Sequence, residues 1–86
     1  MPARASGALT MFSTVWCGYC TRLKRQLDRA GVPFVDVDIE LDDEAAAFVE
    51  SANGGTRTVP TVLLPDGRTL TNPTLSELSE QLAQTA

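Results

Sequence analysis

Apolar and polar positions alternate along this chain in blocks whose period changes repeatedly. Ala8 to Ser13 (A-L-T-M-F-S) reads as a short buried strand. From Gly18 the spacing becomes helical. Cys20, Leu23, Leu27 and Ala30 form one apolar stripe, with Arg22, Lys24, Arg25 and Arg29 off it. Gly31 stands where a helix C-cap glycine belongs. Val32 to Asp38 is rich in β-branched residues and predicts a second strand, with Pro33 tolerated near its start. Asp42 or Asp43 is placed to cap a second helix through Ala45, Ala46, Ala47, Phe48 and Val49, ended by Asn53-Gly54-Gly55. Glu44 suits that helix's first turn. Thr61 to Leu64 predicts a third strand, Pro65-Asp66-Gly67 a hairpin turn, and Arg68 to Thr71 a return strand. Thr74-Leu75-Ser76-Glu77 is a capping box that opens a last helix carrying Leu75, Leu78 and Leu82.

The predicted order is β-α-β-α-β-β-α. A helical crossover between the first two strands implies parallel pairing, and the closing hairpin implies an antiparallel pair. The expected fold is α/β, a four-stranded mixed sheet with helices on both faces. Met1 to Gly7 is small and polar and is expected as a flexible tail, leaving residues 8–86 as one domain. A total of 86 residues suits one domain with a modest core.

Composition narrows the chemistry. There is no histidine, so Cys-His and Ser-His-Asp catalysis and mixed cysteine–histidine zinc sites are excluded. Two cysteines are too few for a four-cysteine metal site or a disulfide scaffold. A net charge of −4 argues against nucleic acid as a partner. The charges are segregated. Between Cys17 and Gly31, four cations oppose only Asp28, whereas Asp36 to Glu50 holds seven acids and no base. This pattern reads either as two solvated faces or as a polarised molecule that orients charged partners. No apolar run approaches the ~20 residues that span a bilayer, and Met1 to Ser6 lacks the apolar stretch of a secretory signal. The expected location is the cytoplasm, where a C-x-x-C pair reads as redox or metal chemistry rather than a structural staple.

Trp16-Cys17-Gly18-Tyr19-Cys20 carries the candidate chemistry. Cys17 is expected at the start of the first helix, where unpaired amides and the helix dipole favour an anionic sulfur. With no imidazole base in the chain, that position and nearby Arg22, Lys24 and Arg25 must supply the activation. Three residues of helix bring the two sulfurs within disulfide reach. Cys20 lies on the apolar stripe, so exposed Cys17 is the expected nucleophile and Cys20 the resolving thiol. Two other readings stay open: inert core cysteines, and half of a zinc site completed by a second chain. Trp16 and Tyr19 read either as packing residues or as an aromatic rim for a docked thiol. Thr58-Val59-Pro60 enters the third strand. If the bond before Pro60 is cis, the Val59 backbone would face a groove and could pair with an extended peptide. An ordinary strand-entry proline is the alternative.

With both motifs in place, the chain resembles the mycoredoxins, glutaredoxin-like members of the thioredoxin superfamily from bacteria that use mycothiol. The resemblance runs from Ala8 to Leu82. It is carried by W-C-G-Y-C, V-D-I-E (Val37 to Glu40), N-G-G-T-R-T-V-P-T-V (Asn53 to Val62) and T-L-T-N-P (Thr69 to Pro73). It implies a cytoplasmic, monomeric oxidoreductase of cellular redox homeostasis, without bound cofactor or metal. Mycothiol would be its reducing co-substrate and mycothiolated proteins its partners, with a mycothiol disulfide reductase acting indirectly. Cys17 would attack the mixed disulfide, and Cys20 would be needed only for dithiol reactions. Val59 and Pro60 would present backbone to the substrate, Thr71 and Asn72 would line the opposite side, and Arg57 and Thr58 would add polar contacts. Ordinary glutaredoxins carry a lysine three residues before the nucleophile and a Gly-Gly before the last helix. Thr14 and Thr71-Asn72 stand there here, which disfavours a thiol with two carboxylates. Two rival functions remain. One is a small redoxin that passes electrons from thioredoxin reductase to ribonucleotide reductase. The other is a [2Fe–2S] carrier, suggested by Gly18 after the nucleophile, in which external thiols would complete the ligand set.

Overall fold

The computed structural model describes residues 9–85. Ala8, the expected tail Met1 to Gly7, and Ala86 lie outside the described residues. The elements follow the expected order: β1 (Leu9–Ser13), α1 (Gly18–Ala30), β2 (Phe34–Asp38), α2 (Asp43–Ala52), β3 (Thr61–Leu63), β4 (Thr69–Thr71) and α3 (Leu75–Thr85). The sheet order is β2-β1-β3-β4. β1 pairs in parallel with β2, and the β1–β3 and β3–β4 pairs are antiparallel.

Alternation along the strands builds two cores. Leu9 and Met11 of β1 and Val62 of β3 meet Leu23 and Leu27 of α1 and Leu78 of α3 on one face. Phe12 and Leu63 point the other way and meet Ala45, Ala46 and Val49 of α2. Phe12 also packs on Phe48, with ring centroids 5.2 Å apart. Every residue of β1 is buried, as a strand covered on both faces must be.

The element ends differ from the pattern for identifiable reasons. β2 starts at Phe34 rather than Val32, because the Val32 amide donates to Leu27 O at 3.0 Å. With Gly31 at φ 72°, that bond closes α1 in a Schellman-type cap. Ala30 is exposed at this last turn, so the buried stripe stops at Leu27. β3 and β4 are each one residue shorter than expected. Leu64 donates to Arg68 O at 2.8 Å and accepts from the Gly67 amide at 3.0 Å, which commits both to the turn. Asp42, not Asp43, caps α2, its carboxylate accepting from the Ala45 amide at 3.1 Å. The capping box is complete: Glu77 N–H donates to Thr74 Oγ1 at 3.1 Å, and Thr74 N–H to Glu77 Oε1 at 2.9 Å.

Two substitutions separate packing from capping. Leu27→Ala should cost about 2–5 kcal/mol of unfolding free energy, because the side chain is fully buried between α1 and the sheet. Thr74→Ala should cost only about 1 kcal/mol through the lost cap. Urea titration of both variants checks the order, and an equal loss would contradict it.

Candidate active site

The chain leaves β1 at Ser13 and reaches α1 through Thr14, Val15 and Trp16. The Cys17 amide donates to Thr14 O at 3.3 Å, which folds this connection into a turn. Cys17 then occupies the N-cap of α1 with extended backbone angles. Its sulfur does what a serine or aspartate oxygen does at other helix starts: it accepts a hydrogen bond from the Cys20 amide at 3.2 Å. An amide donor at the positive end of a helix complements negative charge on that sulfur. The Cys17 carbonyl accepts from the Thr21 amide at 3.2 Å and from its hydroxyl at 3.3 Å.

Both cysteines are free thiols and both are buried. Cys17 is 6% exposed and Cys20 is 0% exposed. The expectation of an openly exposed Cys17 is therefore corrected. The cap geometry turns its sulfur in towards the Cys20 amide and the Val59 carbonyl, leaving a narrow approach. Cys20 is the more buried of the two, in line with its place on the apolar stripe. Its thiol is pushed up to about 12 from an ordinary 9.0, first by burial and then by its hydrogen bond with Cys17. The Cys17 charge adds to the rise, while a backbone hydrogen bond with Thr14 and the Lys24 ammonium oppose it. Lys24 is held by Asp36 at 2.8 Å, and Asp36 also accepts from the Ser13 hydroxyl at 2.7 Å.

The Thr58-Val59-Pro60 segment packs beside this turn. The Val59–Pro60 bond is cis. The Cys17 thiol lies 3.9 Å from the Val59 carbonyl as a weak donor to it. Asn72, at φ 47°, donates its amide to Pro60 O at 2.8 Å. Asparagine tolerates this left-handed conformation better than most residues. Thr71 pairs with Thr61 in the β3–β4 ladder, and its hydroxyl donates to Asn53 Oδ1 at 2.6 Å. The structure thus brings T-V-P and T-L-T-N-P together on the side of the site where Val59 meets Cys17.

Two grooves flank the start of α1. One, of about 560 Å³, opens on Cys17 and is bordered by Val15, Trp16, Arg22, Arg25 and Arg29. The other, of about 310 Å³, lies between Tyr19 and Asn72. Trp16 and Tyr19 are 69% and 67% exposed, so neither packs into the core. Arg57 lines neither groove; its guanidinium pairs with Glu50 at 2.6 Å. The Thr58 hydroxyl is shared with that of Thr56 at 2.8 Å. Three features of the site were not foreseen from the sequence. The Trp16 indole N–H donates to Glu40 at 3.1 Å, which holds the ring at the groove edge. Asn53 joins α2 to Thr61 and Thr71. Thr14 has a buried hydroxyl with no hydrogen-bond partner. Only V-D-I-E and N-G-G hinted at the first two, since the partners are 24 and 18 residues away. Among the described residues, no cluster of three or more potential metal ligands occurs and no helix is long and apolar enough to cross a membrane.

The Cys20 shift has a consequence for stability. A thiol that binds its proton more tightly when folded contributes stability in full below the unfolded value of 9.0, and that contribution is lost as the pH rises towards about 12. The reduced protein should therefore lose stability more steeply across that window than Cys20→Ser. Urea unfolding at stepped alkaline pH measures the difference, and parallel profiles would refute it.

The comparisons agree with this geometry. A family model described as Glutaredoxin matches residues 9–69. A Mycobacterium tuberculosis protein described as a glutaredoxin is 51% identical over 81 residues, covering 94% of this chain and 96% of the relative. Mycoredoxin 1 of Corynebacterium glutamicum is 41% identical over 70 residues, 81% of this chain and 86% of the relative. The crystal structure of a buckwheat glutaredoxin–glutathione complex superposes with a TM-score of 0.72 at 25% identity, covering 96% of this chain and 79% of the other. With a cysteine-capped helix at the site and these matches, the activity falls among thiol oxidoreductases, and the chain belongs to the glutaredoxin family.

Proposed function

We propose that this chain reduces protein–mycothiol mixed disulfides, with mycothiol as the reducing co-substrate. The observation that carries the exchange chemistry is the Cys17 sulfur, capped by the Cys20 amide and opening on a groove. The Cys17 thiolate attacks the mycothiol sulfur of the mixed disulfide. The sulfur–sulfur bond breaks, and the protein thiolate leaves and takes a proton from water. A second mycothiol thiolate then attacks the Cys17–mycothiol disulfide. This releases mycothiol disulfide and returns the Cys17 thiolate, so one disulfide is reduced for each one formed.

Cys20 enters only when a protein disulfide must be opened. Its thiol stays protonated while Cys17 carries charge beside it. Once Cys17 is tied up in a mixed disulfide, that charge is gone, and only burial still holds the Cys20 proton strongly. Cys20 is thereby easier to ionise after the first attack than before it, while burial, the largest cause of the rise, persists.

Three observations support mycothiol over glutathione. The chain shares 41% identity with Mycoredoxin 1. Thr14, where ordinary glutaredoxins carry a carboxylate-binding lysine, is uncharged and buried. Arg57, the cation of the T-R-T-V-P segment, is already paired with Glu50.

Cys17→Ser should abolish exchange entirely. Cys20→Ser should keep mixed-disulfide reduction and accumulate a Cys17–mycothiol adduct visible by intact mass. An inactive Cys20→Ser variant would rule out the monothiol route. Turnover with glutathione equal to or above that with mycothiol would overturn the choice of thiol, leaving the exchange chemistry intact.

A further inference from the structure

The exchange chemistry proposed at Cys17 leaves one charged feature of the site unused. Arg22, Arg25 and Arg29 are exposed and border the same groove as the Cys17 sulfur. At spacings of three and four residues they form a single stripe along α1. Among the described residues, none of these three guanidinium groups makes an ion pair, whereas Lys24 on the same helix is paired with Asp36. Like charges at these spacings work slightly against the helix, and Asp28, the one acid on it, forms no ion pair with them. They sit on a chain whose net charge is −4, with seven acids crowded between Asp36 and Glu50. An acidic partner is therefore repelled by most of the molecule and attracted along this stripe, which fixes its orientation.

The dimensions indicate the kind of partner. Cys17 and Arg29 are twelve residues apart, or about 18 Å along the helix. An extended peptide covers that length with about five or six residues. A sugar-bearing thiol of low charge has little to offer three guanidinium groups. At the mouth, Val15 is 82% exposed and borders the groove with Trp16, so the residues next to the docked cysteine meet apolar surface before the arginines begin. We propose that this groove docks the protein half of the mixed disulfide, selecting substrates with Asp or Glu within about six residues of the target cysteine. The proposal rests on the exchange reaction at Cys17 for its purpose but not for its test.

The test uses labelled peptides of about 12 residues with serine in place of the reactive cysteine, so binding is read without chemistry. One peptide carries apolar neighbours and a run of glutamates three to six residues away; its counterpart carries glutamines. Fluorescence anisotropy should give the acidic peptide an affinity about five-fold higher at low salt, since exposed pairs are individually weak. The preference should fade in high salt as screening grows. Arg25→Gln/Arg29→Gln should bring the ratio close to one, and Arg25→Lys/Arg29→Lys should restore most of it. Equal affinity of the wild type for both peptides would overturn the proposal. So would a preference that survives in the glutamine variant, or displacement of the acidic peptide by inorganic phosphate beyond the effect of ionic strength. The cysteine versions joined to mycothiol then separate the two readings: selective binding without reduction leaves the docking groove standing and removes the proposed reaction.

Discussion

The hydrogen bond from the Cys20 amide to the Cys17 sulfur is where fold and chemistry meet. A helix start must satisfy its unpaired amides, and here a sulfur does so. The requirement that normally stabilises a helix thus positions the Cys17 sulfur. The same turn places Cys20 one helical turn deeper, against the sheet, where burial holds its proton. One backbone arrangement therefore gives the two thiols unequal burial and different hydrogen-bond surroundings.

This arrangement holds only because β1 is immobilised on both faces. Leu9 and Met11 anchor it under α1 and α3, and Phe12 anchors it over α2. The strand delivers Thr14 and Cys17 to a fixed point at its end, beside the parallel neighbour β2. From there, Ile39 just after β2 donates its amide to Ser13 O at 3.0 Å, and Trp16 reaches Glu40. The antiparallel neighbour β3 brings Val59 and Pro60 to the other side of the cysteine. The active site is thus a junction of three strand ends rather than a cavity within the core.

Charge adds a second layer of organisation. The acids of β2 and α2 partly serve the structure: Asp36 holds Lys24 and Ser13, Asp42 caps α2, Glu40 holds Trp16 and Glu50 neutralises Arg57. The arginines of α1 serve no comparable internal purpose. The asymmetry between the two segments therefore has these four of its seven acids tied into the fold, while the three arginines of α1 are turned towards solvent.

Much of this was legible from residue order because the relevant physics is local. Helical period, Gly31, Pro65-Asp66-Gly67 and the Thr74–Glu77 capping box act within a few residues, so they announce α1, the hairpin and α3 directly. Cys17 and Cys20 were legible for the same reason, since a cap and its first turn are neighbours in the chain. The strand ends were less so, because a single amide at Val32 or Leu64 chose a turn over the ladder. Contacts across long separations were at most hinted at by short motifs and could not be derived from residue order. Trp16 with Glu40, Thr71 with Asn53 and Asn72 with Pro60 depend on which strands lie side by side, and that follows from how β1 is buried. Local order dictated the reactive pair; packing across the sheet set its exposure, its partners and the groove it opens on.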